Sequence, residues 1–326
     1  MGHRNMNTAI TGTTGFIGHM VLQHLLAAPG NDIVVAIDRH APPCQHPRLR
    51  YVCVDLTSAN AHEKLARIFR THACDTVVHA ALHSQPKRDQ EYSHELLSIG
   101  TMYLLHAIGA AGVKKLIVSS TTEVYGAHPT NPNFLTESHR PRGGVLSAFL
   151  RDKIAVENQC LEFAREHPEC VVTILRPCTI LGPHIGNYKT HLLRRPIIPT
   201  VMGFDPLVQF VHEHDVLRAF CLAIEKNAPG IFNIVGDGVL PLSRALAMIG
   251  KTRIPIPSPL FFQGNAILWH LNIEELPPQH IHFLKYPCVA DGSAAKRALG
   301  FHPIYALQDV LFSFQAKHHD TRGRHA

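Results

Sequence analysis

No apolar run in the chain is long enough to span a bilayer, so a membrane-embedded protein is not expected. Nor is a signal peptide: Met1-Gly2-His3-Arg4-Asn5-Met6 leads directly into the first β-rich segment, which points to a cytoplasmic protein. The eight cysteines form no CxxC pair. Cys170 before Val171-Val172, and Cys221 between Phe220 and Leu222, read as buried free thiols in a reducing compartment. Charge is not in large excess. A formal net charge of +6 does not mark a nucleic-acid partner, and the basic stretch Lys317 to Ala326 reads as a solvated, frayed tail. No internal repeat is found. What the chain has in quantity is histidine, 25 in all, most of them expected in loops or on polar faces. His212-Glu213-His214-Asp215 looks like a metal cluster at first sight. No second cluster of suitable ligands accompanies it, so no metal is expected.

At 326 residues and 45% hydrophobic content the chain can fill one large α/β domain or two lobes, and global disorder is excluded. Its organising stretch is Thr8-Ala9-Ile10-Thr11-Gly12-Thr13-Thr14-Gly15-Phe16-Ile17-Gly18. A β-rich run enters a loop with glycines at 12, 15 and 18, and apolar residues at helical spacing follow: Phe16, Ile17, Met20, Val21, Leu25, Leu26. Strand, tight turn and helix N-terminus in this order suit a pyrophosphate, which needs close backbone N–H groups and the positive end of a helix dipole. A second apolar run, Ile33 to Ile37, ends in Asp38, placed to accept both hydroxyl hydrogens of a ribose diol. Asp38 would repel a 2′-phosphate and so favours NAD. Arg39 keeps NADP open, because a guanidinium there can receive that phosphate.

Further strands are read at Arg50–Leu56, Asp75–Ala81, Lys115–Thr122 and Cys170–Leu175, with helices at Glu91–Ala111 and Phe149–Glu166 between them. Asp55 and Leu56 can flank an adenine, or Asp55 can belong to the cap of the next helix. The small residues closing the fourth strand leave room for a ligand. Alternation at this spacing implies βαβ units, a doubly wound parallel sheet of Rossmann type, and ligands at the carboxyl ends of the strands. Residues 1–177 read as this domain. A short strand from Gln209, a helix from Val216 preceded by Asp215, and a strand from Gly230 to Gly236 return to it within about 208–236. Residues 178–207 and 237–312, punctuated by proline, read as a smaller irregular substrate lobe, and 313–326 as a flexible tail.

With these residues in hand, the sequence resembles an extended short-chain dehydrogenase/reductase of the NAD-dependent epimerase/dehydratase type. The resemblance runs from about Asn7 to Tyr305. It rests on the glycine loop, Asp38, Asp55-Leu56, His79-Ala80-Ala81, Ser119-Ser120-Thr121-Thr122-Glu123-Val124-Tyr125-Gly126, Leu175-Arg176-Pro177, Leu181-Gly182-Pro183, Phe210 to Val216 and Leu299-Gly300-Phe301. It implies cofactor contacts from Gly12, Thr14, Gly15, Phe16, Ile17 and Gly18 in the loop, and from Asp38, Arg39, Asp55 and Leu56 on the adenosine side. Ala80, Ala81, Leu82, Lys153 and Pro177 complete the implied cofactor set, with Lys153 on the nicotinamide ribose. A homodimer through the helices bearing Leu104 and Phe149 is the family expectation.

The family's chemistry uses a Tyr and a Lys four residues later, on one helix face, with a Ser or Thr on the fifth strand. Thr121 and Lys153 match the hydroxyl and the lysine, but Phe149 stands at the tyrosine position, and Leu97 where the family usually has Asn. General acid–base help is typically worth about 10² to 10⁴ in rate, so an ordinary dehydrogenase would be severely slowed. Two functions follow. One is an epimerase/dehydratase-like enzyme acting on a nucleotide-sugar or sterol-like hydroxyl compound, its proton routed through Thr121 and water, Lys153, the substrate itself, or His83, His128, His139 or Tyr125. The other is a catalytically silent NAD(P)-binding sensor or scaffold. Arg194, Arg195 and Arg218 are candidates for a substrate diphosphate.

Overall fold

The computed structural model describes residues 6–30, 32–82, 86, 89–273 and 276–320. Its first half runs β1 (Thr8–Thr11), α1 (Phe16–Ala27), β2 (Val34–Asp38), β3 (Leu49–Cys53), α2 (Ala61–Thr71), β4 (Thr76–His79), α3 (Gln90–His94), α4 (Gly100–Ala111), β5 (Lys115–Ser119), α5 (Ala148–Glu166) and β6 (Val171–Pro177). Then come β7 (Thr179–Leu181), α6 (Tyr188–Arg194), β8 (Ile197–Val201), β9 (Leu207–Val208), β10 (Phe210–His212), α7 (Glu213–Glu225) and β11 (Gly230–Ile234). Last are β12 (Leu240–Pro241), α8 (Leu242–Met248), β13 (Thr252–Ile256), α9 (Ser258–His270), α10 (Ser293–Leu299) and α11 (Leu307–Asp320).

Among the described residues seven strands form one parallel sheet in the order β11-β6-β5-β4-β1-β2-β3. The central strands are short runs of β-branched and small residues buried on both faces, as a parallel sheet between two helix layers requires. Alternate residues point to opposite layers. Ala9, Val35, Ile37, Val77, Leu116 and Val118 pack with Leu65, Leu104 and Phe163 of α2, α4 and α5. Ile10, Val34, Ala36, Val78 and Ile117 pack with Leu22, Phe220 and Leu299 of α1, α7 and α10. A third apolar cluster, built around Leu181, Leu192, Phe210, Leu246, Ile281 and Leu311, forms beside the sheet. The order of strands reverses between β1 and β4, so their carboxyl ends splay into a crevice.

Several boundaries differ from the sequence reading. The third strand stops at Cys53, and Asp55 turns the chain by accepting from the Thr57 N–H at 3.0 Å and its hydroxyl at 2.8 Å. The helix expected over 91–111 is interrupted by a π turn, Glu95–Ile99, between α3 and α4, with Leu97 buried in it. The sixth strand begins at Val171 and continues to Pro177. Asp215 lies inside the first turn of α7, where it accepts from the backbone N–H groups of Ile304 and Tyr305. The segment read as a tail from residue 313 begins as packed helix: Leu307, Val310, Leu311 and Phe314 recur at helical spacing, and the last three are buried. Thr321 to Ala326 lie outside the described residues. Among the histidines, His79, His212 and His280 are buried; Cys221 is only half-buried and Cys53 is exposed.

One buried network ties the layers together. The Arg176 guanidinium at the end of β6 donates Nε to Glu157 Oε1 at 2.9 Å and a second N–H to Glu157 Oε2 at 2.5 Å. It also donates to Tyr125 Oη at 2.8 Å, and Tyr125 in turn donates to Asn233 of β11 at 2.9 Å. Ser120 donates to Glu157 at 2.5 Å. Arg176 is 1% exposed and Glu157 2%. Removing one partner leaves the other charge buried alone. Arg176→Met is therefore expected to cost about 3–5 kcal/mol of unfolding free energy in urea titrations, and the double change with Glu157→Leu to recover much of it.

Candidate functional site

The site is built from backbone first. Gly12 follows β1 at φ +76°, a conformation that favours glycine, and a Cβ there would lie 2.5 Å from Ala81 Cα and N, just beyond β4. A Cβ on Gly18 would lie 2.1 Å from the Gly12 carbonyl oxygen, so this glycine lets α1 close onto the loop and does not itself face the crevice. Gly15 precedes α1 without a side-chain cap, and no acidic residue occupies the first turn. The N–H groups of that turn are left for an anion.

Beyond the loop, Gly12, Thr14, Asp38, Arg39, Asp55, Leu56, Ala80, Ala81, Leu82 and Tyr92 line one crevice. Asp38 Oδ2 accepts from both the N–H and the hydroxyl of Thr14 at 2.9 Å, and Oδ1 from the Arg39 N–H at 2.7 Å. The Arg39 guanidinium donates to Tyr92 Oη at 2.7 Å and pairs with Asp55 at 3.7 Å. Its hydrogen bond to Tyr92 holds it above its ordinary pKa. Two carboxylates at this end suit a ribose diol and oppose a 2′-phosphate, so the residues present fit NAD.

Gly15, Phe16, Ile17, Ala80 and Leu82 continue into a second cavity, closed by Ser119, Ser120, Thr121, Glu123, Phe149, Lys153 and Pro177, and by Thr179, Asn187, Tyr188 and Lys189 from the chain beyond β6. The fold thus brings every sequence-predicted contact residue except Gly18 to one of two adjoining cavities. Thr121 accepts from the Glu123 N–H at 3.3 Å and starts the turn Thr122–Tyr125. Phe149 and Lys153 stand one turn apart on α5, with the Lys153 Nζ 5.7 Å from the Phe149 ring centre. Lys153 is 4% exposed. Burial pushes its ammonium down to about 8, although Glu157 and Glu123 act the other way. His79, bonded to Thr11 at 2.8 Å and Thr101 at 3.2 Å, is pushed down to about 3 by burial and by Lys153, and so stays neutral.

A polar cluster adjoins this cavity, with Glu123, Tyr188 and Lys189 in its lining and His280 in that of the neighbouring one. Lys189 pairs with Glu123, the Tyr188 hydroxyl meets His280 Nδ1 at 2.6 Å, and Tyr188 Oη lies 3.5 Å from Glu123. Burial raises the Glu123 carboxyl, but Lys189 and His280 outweigh it and hold the group below its usual range. Behind the cluster lies an apolar cavity bounded by Leu192, Leu193, Phe210, Leu242, Leu276 and Phe283. Glu123 was legible only as part of its motif. Asn187, Tyr188 and Lys189 sit in a proline-punctuated stretch whose local pattern carries no chemistry, and Tyr92 likewise gave no signal.

Other candidates are placed elsewhere. Tyr125 is committed to the Arg176 network, and His139 accepts from the Thr136 N–H in a turn. His128 lines neither cavity, and His83 lies outside the described residues. None of Arg194, Arg195 and Arg218 lines the two cavities or the apolar one behind them. Arg218 is held by Asp215 and the His302 carbonyl, and Arg194 by the Ile185 carbonyl and the Phe314 ring. In the His212-Glu213-His214-Asp215 cluster, His212 stacks on Tyr305 and Glu213 accepts from His184 at 2.6 Å.

Residues 8–235 match the model of the NAD dependent epimerase/dehydratase family. An uncharacterised protein of Mycobacterium tuberculosis is 30% identical over 309 residues, 93% of this chain and 81% of that one. UDP-glucose 4-epimerase 2 of Oryza sativa subsp. japonica is 32% identical over 298 residues, 76% and 70% of the two chains. Among solved structures, the dTDP-glucose 4,6-dehydratase DesIV of Streptomyces venezuelae, with NAD and TYD bound, superposes with a TM-score of 0.76 at 23% identity over 98% of each chain. MoeE5 in complex with UDP-glucuronic acid and NAD superposes at 0.75 and 23% identity, over 97% and 99%.

Lys153 gives a pH test. Its proton leaves at about 8 in the folded chain and near its ordinary 10.5 when unfolded. Between those values the unfolded chain binds more protons, so stability rises with pH there, and the cost of burying this charge is full below about pH 8. Lys153→Met is expected to raise the stability of the cofactor-free protein relative to wild type more at pH 7 than at pH 10, read from urea midpoints at the two values.

Proposed function

The chain belongs to the NAD dependent epimerase/dehydratase family, and on that premise we propose that it binds NAD across the two adjoining cavities and acts as an oxidoreductase on a hydroxyl group of a nucleotide sugar. The observation that carries this reading is the meeting of the glycine loop and Asp38 with Thr121 and Lys153 along one continuous cleft. The N-terminus of α1 would take the pyrophosphate, Asp38 the adenosine ribose and Lys153 the nicotinamide ribose. Bound NAD supplies the hydride acceptor and donor. Thr121 would orient the substrate oxygen. The likeness to a UDP-glucose 4-epimerase and a dTDP-glucose 4,6-dehydratase supports a nucleotide-sugar substrate. A homodimer along α4 and α5 fits the half-exposed Met102 on α4.

A second reading, a cofactor-binding protein without turnover, is favoured by one feature, the absence of a transferable proton on Phe149. Calorimetric titration with NAD⁺, NADH, NADP⁺ and NADPH separates the cases. Binding of the NAD pair in preference to the NADP pair is expected, and no binding of either overturns the proposal. Incubation of the NAD⁺ complex with UDP- and dTDP-linked sugars should then build up the absorbance of reduced cofactor. Binding without any such signal selects the second reading.

A further inference from the structure

The cavity that holds Phe149 contains a different phenol. Tyr188, the first residue of α6, is 5% exposed and lines both the cavity of Thr121, Phe149 and Lys153 and the apolar cavity behind it. Its hydroxyl is 2.6 Å from His280 Nδ1, a short hydrogen bond, and also lies within 3.5 Å of Glu123 Oε1, a longer second acceptor. His280 is 1% exposed, and its other ring nitrogen, Nε2, has no hydrogen-bond partner among the described residues. An orphaned buried imidazole nitrogen costs stability, and a functional use of the ring is one reason for a fold to keep it.

We propose that Tyr188, coupled to His280, supplies the proton transfer that Phe149 cannot, and is the catalytic acid–base residue of this protein. The proposal rests on the oxidoreductase reading above. In the oxidising direction the substrate hydroxyl gives its oxygen-bound proton to Tyr188 Oη as Tyr188 passes its own proton to His280 Nδ1. The carbon-bound hydrogen departs as hydride with its electron pair, the nicotinamide dinucleotide of that reading being the acceptor. The alcohol becomes a carbonyl, the cofactor is reduced, and the proton rests on His280 until the reverse step returns it. A concerted relay is required because burial raises the Tyr188 phenol well above its ordinary range, and the carboxylate of Glu123 raises it further. A standing phenolate is therefore unavailable, whereas a phenol that gains one proton while losing another never ionises. Burial holds His280 down at about 4, so the imidazole is neutral before the step but a weak base, and it takes the proton only as the hydride leaves. Glu123 favours the imidazolium once formed, and Lys189, paired with Glu123, opposes it.

The test uses the full chain with NAD⁺ and the sugar panel. Tyr188→Phe should lower kcat by about 10²–10⁴ while leaving KM for the sugar and calorimetric NAD binding near wild type. His280→Gln, which keeps a hydrogen-bonding side chain but cannot hold a proton, should lower kcat likewise. Adding Phe149→Tyr to the Tyr188→Phe protein should restore turnover, a rescue that a merely structural role would not give. Independently of turnover, the His280 nitrogen resonances should move in Tyr188→Phe. A Tyr188→Phe protein with wild-type kcat, or with a defect confined to KM, overturns the proposal while the oxidoreductase reading stands. A wild-type protein that reduces no cofactor with any sugar overturns both.

Discussion

The geometry of the site depends on the buried pair between Arg176 and Glu157. Glu157 lies one helical turn beyond Lys153 on α5, and Arg176 closes β6. Their two-pronged bond, with Ser120 donating to the same carboxylate, pins α5 against the ends of β5 and β6. That fixes which face of α5 looks into the cleft, and so sets Phe149 and Lys153 opposite Thr121. Tyr125 and Asn233 extend the constraint to β11 on the sheet's edge. In a low-dielectric interior such a network has few alternative arrangements, because each displaced member leaves another polar group unpaired.

The cleft itself combines two kinds of surface. The dinucleotide end is made mainly of backbone: a glycine at positive φ, a helix start without a cap, and small residues at the end of β4. Its side-chain chemistry is confined to Asp38 and its neighbours Arg39, Asp55 and Tyr92. The end towards the lobe is made of side chains, several of them ionisable and out of water: Lys153, Glu123, Lys189, Tyr188 and His280. Desolvation dominates there, lowering Lys153 and His280 and raising Tyr188.

The glycine loop and Asp38 were legible in the sequence, because their rule is local. Glycine spacing, an apolar run and a terminal acid all lie within one βαβ unit, and the structure puts Gly12, Gly15, Asp38, Ala80 and Lys153 along one cleft. Where local reading failed, packing had overridden it. Asp55 left the strand to close a turn on Thr57, a π turn entered the helix around Leu97, and α11 kept its helix past residue 313 because Val310, Leu311 and Phe314 had a core to join. Arg218 looked available to a phosphate in sequence but lies against Asp215 and His302.

By itself, then, the sequence determined the parallel sheet, the glycine loop, the acid after the second strand, and the Phe149–Lys153 face of one helix. These follow from periodicity and from the backbone freedom of particular residues, which act over a few positions. Only the tertiary structure decided that Tyr188 meets His280, 92 positions away, and that Tyr188 lines the same cavity as Phe149. Such pairing has no local signature. It arises because the third apolar cluster folds α6 and the segment around Ile281 together, burying two polar rings that must then satisfy one another.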